Sequence, residues 1–346
     1  MKKYLLPKDG QFYKANLHCH TNFSDGRKTP AEVKEIYQKL GYSIVAYTDH
    51  DILIPHDELN DEEFLALHGF EIELSDYRPE VSSIVRKTCH ICLIALEPEN
   101  LVQPCWHRTL YQRHYFYGNA KDHVEQIRFD ESEPDFERDF SPECVNACMK
   151  TAREKGFFVT YNHPTWSMEH WGDYMQYEGM HAFEIMNGGC IAEGWEDYNP
   201  RVYDDLLRGG KKLFCIGADD NHNARPEDDR HWDSGVAFTV IKAESLDYRT
   251  VTKALEAGNF YASEGPEILE LYCEDGEVTV KCSAADRVLC TYGCRRAKVK
   301  YAYGDEPVTE ARFPIYEDAD YLRITVVDAH GNHACTNAYF VKDLME

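Results

Sequence analysis

The stretch Asn16-Leu17-His18-Cys19-His20-Thr21-Asn22-Phe23-Ser24-Asp25-Gly26 decides how the rest of the chain is read. Side chains alternate across an extended segment, so His18 and His20 point to one face. Two borderline-soft nitrogen donors placed side by side are the beginning of a transition-metal site. Ser24-Asp25-Gly26 is a chain-breaking cluster, which puts the Asp25 carboxylate on a turn. Thr29-Pro30-Ala31-Glu32 then opens a helix: Thr29 caps it, Pro30 fits its first turn and Glu32 closes a capping box. Val33, Ile36, Tyr37 and Leu40 recur at helical spacing, and Gly41 is the stop. Ile44-Val45-Ala46-Tyr47-Thr48 reads as a buried strand that delivers Asp49-His50-Asp51 at its carboxyl end. Strand, ligand loop, helix and strand predict a βαβ unit with its chemistry on one edge. A single histidine would more simply satisfy a local hydrogen bond, but several motifs in one order call for a common explanation.

His18-x-His20, Ser24-Asp25-Gly26, Thr29-Pro30-x-Glu32 and Thr48-Asp49-His50-Asp51, in this order, resemble the opening of the PHP (polymerase and histidinol phosphatase) superfamily. Later apolar strands carry matching polar ends: Gly69-Phe70-Glu71-Ile72-Glu73, Cys89-His90, Asn162-His163-Pro164 and Asp219-Asp220-Asn221-His222. The Asp-Asp-x-His form, with Gly235 after it and Gly258 to Pro266 closing the domain, looks like the hydrolase branch. The resemblance spans residues 12 to 266. It implies a distorted (β/α)7-type barrel over residues 1–265; residues 98–140 break the pattern and read as an insert outside the shared motifs. It also implies a trinuclear centre of manganese, zinc or iron, with two or three divalent ions in all. One ion would take His18, His20, Glu71 and Asp220. A second would share Glu71 and take His90 and His163, and a third would use Asp25, His50 and His222. Glu71 is thus the expected bridge, and Glu73, two residues along the same strand face, is the fallback. Glu71, Asp220 and His222 are the expected catalytic set.

Composition bounds the rest. A chain of 346 residues with 43% hydrophobic and 13% aromatic content is long enough for one large α/β domain and a small second one. After Gly265-Pro266 the helical period gives way to short strands and turns, which predicts a small all-β, sandwich-like domain over 266–346. Thirteen cysteines and no secretory apolar core suggest reduced thiols in a cytoplasm. No apolar run suits a membrane span. Cys89 and Cys92 have zinc-ribbon spacing, yet three residues along a strand put them on opposite faces. A net charge of −24 argues against coating a nucleic acid, which needs a basic face. It does not exclude a small anion, because bound divalent cations reverse the local field.

The expected activity is hydrolysis of a phosphate ester by a hydroxide held between metals, on a small phosphorylated molecule such as a nucleotide or sugar phosphate. Hydrolysis of a carboxyl or carbamate ester, exonuclease action on short oligonucleotides, and a binding protein with a structural metal remain alternatives. Arg27, Arg225, Arg108 and Arg113 are candidate phosphate ligands. The basic, aromatic segment Cys105 to Tyr117 reads as an inserted helix packed on the barrel, followed by an acidic linker. Asp49, Asp51 and Asp219 neighbour ligands and are expected to orient imidazoles.

Overall fold

In the computed structural model, which describes residues 2–111 and 119–345, the segment before the paired histidines is a strand. The strands in order are β1 (Lys3–Tyr4), β2 (Gln11–Asn16), β3 (Ile44–Tyr47), β4 (Leu65–Ser75), β5 (Thr88–Ala95), β6 (Phe157–Asn162), β7 (Ala182–Asn187) and β8 (Phe214–Ala218). β9 (Phe238–Ala243) and β10 (Phe260–Ser263) complete the first part of the fold. The helix Pro30–Lys39 carries the expected capping box: Glu32 N donates to Thr29 Oγ1 at 3.2 Å and Thr29 N to Glu32 Oε2 at 2.8 Å. Its Val33, Ile36 and Tyr37 are buried, as are Val145, Cys148, Met149 and Ala152 on the helix Pro142–Glu154.

Neighbouring strands run β2-β3-β4-β5-β6-β7-β8, in a mixed sheet. β2, β3 and β4 are parallel, as are β6, β7 and β8. β5 is antiparallel to both β4 and β6, pairing His90 with Glu73 and with Asn162. An all-parallel arrangement would put the start of β5 at the wrong edge. Its reversal brings His90 to the edge where its neighbours end. Among the described residues no ladder joins β8 to β2, so ladders alone do not close a ring. The two meet just beyond their carboxyl ends, in a parallel Cys19–Asn221 bridge with His20 N to Asn221 O at 3.1 Å and Asp220 N to His18 O at 2.9 Å.

The sheet also continues on its other side. β9 pairs with β2 and β10, and β10 pairs with β17 (His333–Thr336) of the carboxyl-terminal part. There β11 (Ile268–Glu274), β12 (Glu277–Ala285) and β15 (Val308–Pro314) form a second sheet. β13 (Arg287–Tyr292), β14 (Ala297–Tyr301) and β16 (Tyr321–Val327) extend the first one. One apolar cluster joins the two: Leu271 and Val280 pack with Val288, Ile324 and Val326. β1, from the amino terminus, pairs with β11 on the second sheet. Asn337 ties the parts again, donating to Gly258 O and Phe260 O and accepting from Cys215 N.

Residues 105–111 form no helix, contrary to the sequence reading. Trp106 stacks on Phe129, and the regular turn of the insert is a 3₁₀ segment, Asn119–Gln126. The remainder of the expected helix, with Arg113, lies outside the described residues. All thirteen cysteines are free thiols. No helix among the described residues is long and apolar enough to cross a membrane.

One partly buried histidine is expected to make stability depend on pH. His181 Nδ1 accepts from Val159 N at 3.0 Å, and the ring stacks on Phe158 with centroids 4.9 Å apart. Burial, and then the Arg153 charge, lower its pKa from 6.5 to about 4. The unfolded chain therefore takes up a proton that the folded one refuses as pH falls from 6.5 towards 4. That group's contribution to stability is complete above pH 6.5 and is lost on acidification. Urea unfolding at pH 7 and 4.5 is expected to show about 2 kcal/mol of this loss absent from His181→Asn. Equal acid sensitivity in both proteins would refute it.

Candidate metal centre

The edge where β2, β3, β4, β6 and β8 end, and where β5 begins, gathers all nine residues selected from the sequence. His18 and His20 lie past the end of β2, and the Cys19–Asn221 bridge keeps the chain extended there. His50 follows β3, and Glu71 sits inside β4, bridged to it. His163 follows β6, and Asp220 and His222 follow β8. Asp25 reaches the site from the turn after His20. Gly26 is required there: a Cβ on it would stand 2.7 Å from the carbonyl oxygen of His20. His163 (φ 24°), Asp220 (φ 49°) and Asp51 (φ 58°) adopt left-handed backbone, a local strain concentrated at this edge.

Glu71 is the centre. Its Oε1 lies 3.0 Å from His90 Nδ1, 3.2 Å from His18 Nε2 and 3.3 Å from His163 Nε2. Its Oε2 lies 3.1 Å from His50 Nδ1 and 3.4 Å from His20 Nε2. Asp220 Oδ1 is 3.0 Å from His20 Nε2 and 3.2 Å from His18 Nε2, while Asp25 lies 3.4 Å from His222 and 3.7 Å from His50. Donor atoms close enough to share one cation form four groups: His20–Asp25–His50–His222, His18–Glu71–His163, His18–His20–Asp220 and His50–Glu71–His90. Glu71 belongs to two of them.

The donor set fits divalent cations better than hydrogen bonding alone. Five imidazoles converge on one carboxylate, which offers about four lone-pair directions. The Nε2 atoms of His18 and His20 face each other at 3.2 Å, and Glu71 Oε2 is buried without a hydrogen bond. The electrostatics make the same demand. Burial opposes charge on His18, yet Asp220 and then Cys92, Glu71 and Glu184 hold its pKa well above the ordinary value. Burial likewise opposes charge on His163, but Glu71 and Asp220 push it up to about 9. Glu71 and Asp220 are held well below the usual carboxylate range by the imidazoles, against their burial. The centre calls for positive charge, which divalent ions would supply.

Glu184 on β7 orients this array and was not recognised in the sequence, where it reads as one residue of an apolar strand. It is fully buried, its Oε1 lies 3.0 Å from His18 Nδ1, and its Oε2 accepts from His163 N and Asn187 Nδ2. Fixing Nδ1 leaves His18 Nε2 directed at the centre. His222 is set similarly, with Nδ1 3.0 Å from Asp220 O and its backbone N–H donating to Asp233. The three aspartates expected to orient imidazoles hold the chain instead. Asp49 accepts from Thr21 N and Ser24 N, and Asp219 from Gly235, Val236 and Ala237 N–H groups. Asp51 pairs with Arg138.

The centre floors a cavity of about 950 Å³. Of the candidate phosphate ligands, Arg225 lines it. Arg27 is exposed and outside the lining, and Arg108 spends its guanidinium on Asp135 and on the carbonyls of Glu131 and Glu133. Arg86 lines the cavity and was missed. Its Nε is buried with no acceptor among the described residues. It stands four residues before His90, so the reversal of β5 brings it to this edge.

No protein-family model matches the sequence, and no curated protein does. Solved structures do show a likeness. A two-domain protein from Bacteroides vulgatus, containing a predicted PHP-like metal-dependent phosphoesterase, matches with a TM-score of 0.45 and 15% identity, over 97% of this chain and 98% of that one. A candidate metal-dependent phosphoesterase from Bifidobacterium adolescentis matches with a TM-score of 0.41 and 18% identity, over 73% of this chain and 98% of its own. An amidohydrolase from Chromobacterium violaceum, with bound sulfate and no metal, matches with a TM-score of 0.37 and 16% identity, over 60% and 87%.

Proposed function

We propose that this chain is a metal-dependent phosphoesterase acting on a small phosphorylated molecule, on a distorted barrel whose seam is the Cys19–Asn221 bridge. The observation that carries the reading is the convergence of five imidazoles on the buried Glu71 carboxylate, at the floor of an open cavity. A closed structural site needs four ligands and no access for a substrate, whereas nine donors, seven of them lining a cavity, suit a multinuclear reaction centre. Divalent cations held there would supply Lewis acidity and would lower the pKa of a water molecule. Asp25, His50 and His222 would hold one ion, and Glu71 would be shared by the others with His18, His20, His90, His163 and Asp220. Glu184 keeps His18 in the tautomer that presents Nε2. Arg225 and Arg86 offer guanidinium groups at the cavity wall, a geometry suited to phosphate oxygens. The acidic surface, with a net charge of −24, disfavours long nucleic acids as substrates.

The purified protein is expected to carry two or three transition-metal ions per chain, and chelation is expected to abolish hydrolysis. Elemental analysis is paired with a manganese-supplemented screen of phosphomonoesters, phosphodiesters, nucleotides, oligonucleotides of rising length and carboxyl esters. Less than one ion per chain, with activity undiminished by chelator, would end the metallohydrolase reading. Activity that climbs with oligonucleotide length would favour a nuclease.

A further inference from the structure

The lining of the metal cavity is partly apolar. Ile84 (85% exposed), Trp166 (37%), Met168 (43%) and Trp195 (43%) all line it, and each leaves large apolar surface in water. Isolated exposed apolar side chains need no explanation, but four on one cavity do.

Their placement is built into the site. Trp166 follows His163 by three residues, and its ring lies 5.4 Å, edge to face, from the rings of both His90 and His163. The loop bearing it is held by Ser167 N to His163 O at 3.1 Å and Glu169 N to Pro164 O at 2.9 Å. Met168 takes a left-handed φ of 60° within that loop. Trp195 stands in the turn after the helix Gly188–Glu193, where its backbone N–H donates to Cys190 O at 2.9 Å. Two indole side chains therefore line the cavity, one of them against the ligand imidazoles themselves.

We propose that the organic part of the substrate is a planar aromatic group, held against Trp166 and Trp195 while its phosphate occupies the Glu71 centre. This rests on the phosphoesterase reading and narrows it. A flat ring covers indole faces and removes their apolar area from water, in offset-stacked or edge-to-face contact. A small polyhydroxylated group would leave more of the two indole faces in water than a flat ring does.

The test compares benzyl phosphate and 2-naphthylmethyl phosphate with glycerol 1-phosphate, all alkyl esters, so that leaving-group reactivity is similar. The aromatic esters are expected to have at least tenfold higher kcat/KM. In Trp195→Ala and Trp166→Leu the loss is expected to be at least fivefold greater for the aromatic esters than for glycerol 1-phosphate. Binding of benzylphosphonate against methylphosphonate, by calorimetry on the metal-loaded protein, reads the same preference without turnover. At least tenfold tighter binding of the benzyl compound is expected, with the gap narrowing in Trp195→Ala. Hydrolysis with no aromatic preference overturns this inference and leaves the phosphoesterase reading standing. A benzyl preference in binding, with no phosphate ester hydrolysed, supports the aromatic subsite and removes the phosphoesterase reading.

Discussion

Replacing Glu71 with alanine is expected to lower kcat/KM by a hundredfold or more, because it removes a main electrostatic element of the centre. Glu73→Ala is expected to cost about tenfold, the lower end of the scale for a residue that tunes a site without holding it. The two stand on one strand face, two residues apart, and their environments differ. Glu71 is reached by His18, His20, His50, His90 and His163, and belongs to two of the four donor groups. Glu73 lines the cavity and accepts from the Ser75 hydroxyl. Loss of Glu71 takes away the carboxylate that five imidazoles share, so bound metal should fall together with the rate. Elemental analysis of both variants beside their kinetics checks this. Equal and mild effects at the two positions would show that the shared carboxylate has been misplaced.

Much of this centre was legible because the information is local. A histidine or carboxylate directly after an apolar run projects from a strand end, whatever the rest of the chain does. Thr29 and Glu32 announce a helix start by side chains that reach only three residues. What the sequence concealed depends on long-range geometry. Alternation looks the same in either direction, so the reversal of β5 was invisible, and with it the arrival of Arg86 beside the site. Glu184 lies in an apolar strand, and only the fold places its carboxylate against His18. Lys3–Tyr4 is too short to show periodicity, and its pairing with β11 spans the chain. Arg138 stands among alternating carboxylates, where an arginine reads as surface, yet it is almost fully buried.

That arginine gives the insert a role that can be measured. Asp51, next to His50, is held in its left-handed conformation from three sides. Its N–H donates to Glu71 O at 2.8 Å, Gln103 Nε2 donates to its carbonyl at 2.8 Å, and Arg138 Nη1 meets its carboxylate at 2.5 Å. Arg138 also donates to Glu73 O at 3.3 Å and lies over the Tyr111 ring, 4.5 Å from its centroid. Gln103 and Arg138 both come from the insert, which therefore braces the junction between His50 and Glu71. Burial raises the Asp51 pKa to about 6 even with Arg138 opposing it, so the carboxylate depends on its partner. Arg138→Met leaves that group buried and unpaired, and is expected to cost about 3–5 kcal/mol in unfolding free energy. Asp51→Asn added to Arg138→Met should restore a large part of the loss, because no buried charge then lacks a partner. Urea unfolding of the two single variants and the double variant at pH 7.5 forms the cycle. A loss below about 1 kcal/mol for Arg138→Met, or no recovery in the double variant, would mean that the insert does not brace the His50 loop through this pair.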